Sequence, residues 1–186
     1  MLERDRLVTA VPHTGATVTW LSLADYEQQL FILDALQLPA LELIVQRTTP
    51  TQLEAVGRLI VAMLAARKAG RHERYLTLAM RMHQDLFASV NYPRLSELIE
   101  SVFRSLRRYA VVFIHQFDDN WSRDARIAEA RFERLRAGDP AGAAEAVRSG
   151  HAELLQFAIQ RVKSGDPLVT RYVLTDQQRG PAELLP

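Results

Sequence analysis

Histidine is the side chain with most chemical scope in this chain of 186 residues, which has five histidines and no cysteine. His83 lies beside a stripe in which Tyr75, Leu78, Met82 and Leu86 recur at three- and four-residue steps, so it reads as a histidine hydrogen-bonded within a helical core. His115 belongs to a second apolar run and reads either as a polar group facing a pocket or as a partly exposed side chain, whereas His13 and His72 read as surface residues. Arg104, Arg107 and Arg108 fall mainly off the apolar period and read as a solvated helix face, as do Arg67, Lys68 and Arg71. Asp118 and Asp119 stand side by side, but an acidic pair without a buried setting is no catalytic dyad. The chain has no Gly-x-Gly-x-x-Gly, phosphate-binding loop, Gly-x-Ser-x-Gly or cysteine nucleophile, and no glutamate has a histidine three residues on, as a di-iron bundle requires. It does not read as an enzyme.

The histidines and arginines are placed by helices. Residues Tyr75 to Phe117 predict two antiparallel helices joined at Asn91-Tyr92-Pro93. The second arm continues through Leu95, Leu98, Ile99, Val102, Leu106, Tyr109, Ala110, Phe113 and Phe117 for about six turns. Asn91 can adopt the left-handed conformation that ends a helix, and Pro93 suits the first turn of the next. Upstream, Ser22 caps a helix, with Asp25 at its third position, whose apolar residues lie on both sides of Pro39, predicting a kink or a short break. Thr49-Pro50 opens another helix that runs to Gly70. Ser122 is expected to start the next one, ending at Gly138, and Asp139-Pro140 the last, ending near Gly165.

The N-terminus differs. Arg6-Leu-Val-Thr-Ala10 and Ala16-Thr-Val-Thr-Trp20 are β-branched runs around a Pro12 and Gly15 turn, which predicts a hairpin. The sequence therefore divides into a hairpin at 1–21, a helical domain at 22–165, and a tail at 166–186 whose periodicity fades, as in a disordered segment. The fold class is all-α: an antiparallel bundle of six or seven helices preceded by a short β-hairpin. A formal net charge of +1 argues against a general polyanion-binding surface. With no signal-peptide pattern and no long uninterrupted apolar run, the expected compartment is the cytoplasm, with no membrane partner.

Leu7-Val8, Pro12, Gly15 and Val18, followed by Leu21 and an acidic helix start, resemble the wing of the winged helix-turn-helix in GntR-type transcription regulators. Met82-His83-Gln84-Asp85-Leu86, Asn91-Tyr92-Pro93-Arg94-Leu95 and Leu135-Arg-Ala-Gly-Asp139 resemble, in order and spacing, motifs of the C-terminal ligand-sensing (FCD) domain of the FadR subgroup. The resemblance covers roughly residues 6 to 160 and implies a homodimer that binds a small-molecule effector. It also implies DNA contacts from a wing comprising Arg6, His13, Thr14 and Gly15. In such regulators the recognition helix precedes the wing, and this chain begins at the wing, so DNA binding is expected only with an upstream helix-turn-helix.

The resemblance further implies a divalent metal held by an aspartate and a histidine one turn apart and by two later histidines. In this sequence His83 is present, but Ala79 and Ala128 stand at two of the other positions, and Gly150 stands at the last with His151 one residue out of phase. Metal binding is therefore not expected, and no other cofactor is. The implied effector pocket comprises Ala79, Met82, His83, Phe103, Leu106, Phe113, His115, Phe132 and His151, and with Met80 it would suit a rather apolar molecule. The alternative reading is a helical protein–protein interaction domain without a small ligand, with the hairpin as a docking strand.

Overall fold

The computed structural model describes residues 8–11, 15–114 and 116–173. Two short strands, β1 (Val8–Val11) and β2 (Gly15–Val18), pair antiparallel with Val8 opposite Val18 and Val11 opposite Gly15. Pro12, His13 and Thr14 lie outside the described residues, as does Arg6. Seven helices follow among the described residues: α1 (Leu23–Arg47), α2 (Pro50–Lys68), α3 (His72–Ala88), α4 (Pro93–Tyr109), α5 (Asp118–Arg136), α6 (Pro140–Lys163) and α7 (Pro167–Thr170).

The helix boundaries follow from local chemistry. At the start of α1 the Ser22 hydroxyl accepts from the Asp25 amide, and the helix then runs without a break through Pro39. Thr49 and Gln52 form a reciprocal capping box before α2: the Gln52 amide donates to Thr49 Oγ1 at 3.3 Å, and the Thr49 amide donates to Gln52 Oε1 at 2.9 Å. Asn91 takes φ 58° between α3 and α4, the left-handed conformation its short polar side chain tolerates. Asp139 accepts from the Gly142 amide at 2.8 Å and so opens α6.

Two stretches depart from the sequence expectation. The second arm of the central pair does not continue to Phe117 as one α-helix: α4 ends at Tyr109 and passes into a π-helical turn, Ala110–Ile114. Asn120, fully buried, donates from its side-chain amide to the Phe113 carbonyl at 2.6 Å. A buried carbonyl is thus satisfied by a side chain two turns along the sequence, a bond that hydrophobic period alone does not reveal. Accordingly α5 starts at Asp118, not at Ser122, whose hydroxyl instead donates back to the Asp118 carbonyl inside the helix.

The second departure is the beginning of the tail. Residues 166–173 are packed, with Val169 and Val173 fully buried. Asp166 caps α7, the Leu21 amide donates to the Tyr172 carbonyl at 3.0 Å, and Leu21 and Val173 form a parallel bridge. Two valines in eight residues are too few to show a period, yet enough to seal the bundle where α1 begins.

α1 is the hub, packing on α4 and α6 and touching α3 and α5, while α2 lies on α3 and α5 on α6. It is long and apolar enough to cross a membrane by composition alone. In the fold, however, its Leu33, Leu41 and Ile44 form the centre of the core with Met63, Met82, Leu86, Phe87 and Ile99. At one end the rings of Tyr26, Tyr109 and Phe113 stack at centroid separations of 4.9 to 6.3 Å, and the Tyr109 hydroxyl donates to Asp25 at 2.6 Å.

Candidate functional site

Helical spacing gathers polar groups at the middle of this apolar bundle. On α3, Tyr75, Ala79, Met82 and His83 share one face, and on α5 so do Asp124, Ile127, Ala128 and Arg131. With Phe103, Leu106 and Arg107 from α4, His151 and Leu154 from α6, and Tyr26, Leu30 and Leu33 from α1, they line a partly open cavity of about 120 Å³. That is room enough for several waters or a small organic molecule.

Arg131 dominates the electrostatics. Its side chain is 3% exposed, and Nη2 donates to Met82 Sδ at 3.0 Å, while both Nη1 and Nη2 lie 3.5 Å from His83 Nδ1. Among the described residues it forms no ion pair with a carboxylate. Burial pulls its pKa down to about 10, offset in part by the charge of Asp124, so it remains a cation at neutral pH. His83 is held well below its ordinary range, first by burial and then by the charges of Arg131 and His151. It is therefore neutral, and Nδ1 is available as an acceptor toward the guanidinium. The His83 ring also lies on Phe103, with centroids 3.8 Å apart.

On the opposite wall the Tyr75 hydroxyl donates to Asp124 Oδ2 at 2.5 Å. Desolvation pushes the Asp124 carboxyl above its usual range against the opposing effects of Tyr75, His151 and Arg131. Burial and Asp124 likewise raise the Tyr75 phenol, so it stays a donor. His151 Nδ1 lies 2.7 Å from Asp34 Oδ1, which ties α6 to α1 across the cavity. At the outer edge Arg107 pairs with Glu73 at 2.8 Å, joining α4 to α3 at the surface.

The sequence-predicted pocket residues separate cleanly. Ala79, Met82, His83, Phe103, Leu106 and His151 all line the cavity. Phe113 does not, because the π-helical turn carries it into the stack with Tyr26 and Tyr109, where it is fully buried. Phe132 does not either: a Cβ added at Gly57 would come within 2.9 Å of its ring, so it fills the α2–α5 contact. His115 lies outside the described residues. His151 reaches the cavity although it is one position beyond the expected place, and the expected place is sterically closed. A Cβ at Gly150 would stand 2.3 Å from Ile127 Cγ1, because α5 and α6 meet there almost backbone to side chain.

Sequence reading missed Arg131, Asp124 and Tyr75 as site residues. The available signal was the spacing of Asp124, Ala128, Arg131 and Leu135, a helical stripe hidden because two of its members are charged.

The cavity does not fit a divalent metal. Ala79 and Ala128 offer no donor atoms, and His83 Nδ1 faces a fixed guanidinium charge that would repel a second cation. Among the described residues no three His, Asp or Glu side chains are grouped to hold a metal ion.

Residues 30–152 match the sequence profile of the FCD domain. Among solved structures the chain is similar to Escherichia coli McbR/YncC, with a TM-score of 0.71 and 20% identity over 88% of this chain and 80% of that one. It is also similar to Lar, which controls the Listeria monocytogenes agr system, with a TM-score of 0.68 and 15% identity over 86% and 75%. A GntR-family regulator from Pseudomonas syringae pv. tomato gives a TM-score of 0.61 at 20% identity over 89% and 69%. No curated protein matches the sequence. With a profile match over most of its length and the same fold in these regulators, the chain belongs to the FCD-domain family, the helical regulatory domain of GntR-type transcription regulators.

Proposed function

We propose that this domain senses a small molecule in the central cavity and, as a homodimer in the cytoplasm, sets the placing of DNA-binding modules. The observation that carries the reading is the cavity itself, about 120 Å³ in the hydrophobic core, lined by apolar side chains together with Tyr75, His83, Asp124, Arg131 and His151. An interaction domain without a ligand gains nothing from burying an arginine, a histidine and an aspartate around a void. In this reading the pair β1 and β2, with Gly15 at the start of β2, serves as a wing ahead of the sensor. The wing's DNA contacts would act only with a helix-turn-helix. Sensing proceeds without a divalent metal, since Arg131 supplies the positive charge at the cavity.

The test is thermal unfolding of the purified domain across a panel of small carboxylates, amines, sugars and alcohols, beside native mass spectrometry for a co-purified molecule. A ligand that raises the melting temperature of the wild type but not of the cavity-filling Ala128→Leu variant is the expected result. A panel without effect and a protein carrying no small molecule would remove the reading. Light scattering at micromolar concentration should give twice the mass of one chain, and a monomeric mass would overturn the dimer.

A further inference from the structure

We infer that the groove at the root of the strand pair is a second ligand site, distinct from the central cavity, and that it takes a small planar aromatic carboxylate against Trp20, Tyr172 and Arg171.

The groove is built by backbone pairing. The Leu21 amide donates to the Tyr172 carbonyl at 3.0 Å and Leu21 bridges Val173 in parallel, so two short segments lie side by side. Side chains alternate between faces along paired segments of this kind. Leu21 and Val173 are buried in the core, while their neighbours Trp20 and Tyr172 are 50% and 44% exposed. Two aromatic side chains are thereby held at matched positions on the outer face of one bridge. Val111 and Val112, from the π-helical turn, also line the groove, whose volume is about 520 Å³.

Charge selects the guest. Arg108 and Arg171 line the groove, and no described carboxylate does. Arg108 is engaged, its guanidinium donating to the Thr19 carbonyl. Arg171 is exposed, and its side chain makes no hydrogen bond or ion pair with another described residue. The groove thus offers an open fork of N–H donors, which suits a carboxylate held by two parallel hydrogen bonds, beside aromatic side chains on which a flat ring can stack. A cationic guest would meet two guanidiniums and no acid.

Size favours a small molecule over a protein partner. Nine described residues line the groove, whereas a stable protein interface engages about 20–30 residues a side, and a volume of this order is that of a small-molecule site. A guest here touches the chain leaving β2, the π-helical turn and the chain after α7 together, so its binding stiffens the root of the strand pair. The site stands whether or not the central cavity holds a guest.

The experiment titrates naphthoate, naphthol and cyclohexanecarboxylate into the isotope-labelled full chain at neutral pH. Proton–nitrogen NMR follows the indole N–H signals of the two tryptophans, Trp20 and Trp121, assigned with Trp20→Phe. Naphthoate is expected to move the Trp20 signal and leave Trp121 in place. It should bind about two- to fivefold tighter than naphthol, the range of an exposed charge pair, and about two- to tenfold tighter than cyclohexanecarboxylate, which cannot stack. Arg171→Gln should remove the advantage over naphthol, and Tyr172→Ala should weaken both aromatic probes alike. Ala128→Leu, which fills the central cavity, should leave the Trp20 titration unchanged. The comparison among the three probes on the wild type needs no variant to fold. Equal binding of naphthoate and naphthol would overturn the site, as would a preference that survives in Arg171→Gln or a Trp20 signal unmoved at millimolar probe. Loss of the titration in Ala128→Leu would assign naphthoate to the central cavity and overturn it too. A dimer mass that falls to that of one chain in Tyr172→Ala, with no probe bound by the wild type, would give the groove to a second copy instead. The sensing reading is decided separately by its own panel and the co-purified molecule.

Discussion

The Tyr26, Tyr109 and Phe113 stack and the cavity beside it are built from neighbouring turns of the same helices, and Tyr26 touches both. In the stack the rings of Tyr26, Tyr109 and Phe113 lie against one another, and the Tyr109 hydroxyl donates to Asp25. In the cavity Arg131 meets, among the described residues, only a thioether sulfur and a ring nitrogen 3.5 Å away, and space is left over. Close packing contributes stability, whereas an under-satisfied polar wall costs it and is kept for what it can bind. Under the ligand-sensing reading, the contrast marks the side of the core that would face the guest.

The strongest way to break the comparison is Phe113→Ala. A fully buried ring in a dry stack should cost about 3–5 kcal/mol on truncation, measured as a drop in the urea midpoint with unchanged slope. A loss under about 1 kcal/mol would mean the stack is no better packed than the cavity.

Gly150→Ala comes next. The added methyl meets Ile127, itself a cavity wall residue, and should cost about 1–3 kcal/mol by forcing α5 from α6. Ile127→Ala in the same chain should recover most of the loss, and failure to recover it would place the strain in the backbone.

Arg131→Met should move stability the other way, raising it by about 1–2 kcal/mol in chemical denaturation without ligand, because an unpaired buried charge is exchanged for an apolar chain of similar length. A destabilised variant would show that Arg131 is a structural group, and the comparison would lose its main support.

The smallest effect is one of pH. His83 has a folded pKa well below that of the unfolded chain, so the unfolded state takes up the proton first and stability falls as pH drops through about 6.5. The wild-type stability minus that of His83→Gln should fall by about 1 kcal/mol between roughly pH 6.5 and 5.5. Asp124 acts with opposite sign: a raised carboxyl adds stability as pH falls toward the unfolded value of about 3.9. The slopes are therefore separated by comparing Asp124→Asn with the wild type, and parallel pH curves for His83→Gln and the wild type would contradict a neutral buried His83.

Much of this architecture was legible from punctuation in the sequence. Ser22, Thr49-Pro50, Asn91-Tyr92-Pro93 and Asp139-Pro140 each announce a helix boundary through backbone chemistry that acts within four residues, and tertiary context does not change it. What was not legible depends on distant partners. The π-helical turn exists alongside an Asn120 to Phe113 bond, α7 docks because Leu21 meets Val173, and the charged stripe on α5 is invisible to a search for apolar period. Of the cavity-lining residues, His83 and His151 were named because histidine draws notice, while Arg131, one of 23 Lys and Arg residues, was not.

The bond from Leu21 to Tyr172 has a consequence for signal transmission. α6 carries His151 on the cavity wall and continues through α7 to Tyr172, which accepts the Leu21 amide at the point where the strand pair joins the bundle. Under the ligand-sensing reading, a guest that displaced α6 would pull on the root of the strand pair directly, by a lever of one helix and one turn, without passing through α1. The Leu21 amide is its gauge: hydrogen exchange at that one position should change on ligand binding more than at its neighbours on α1, and an unchanged rate would disconnect the lever.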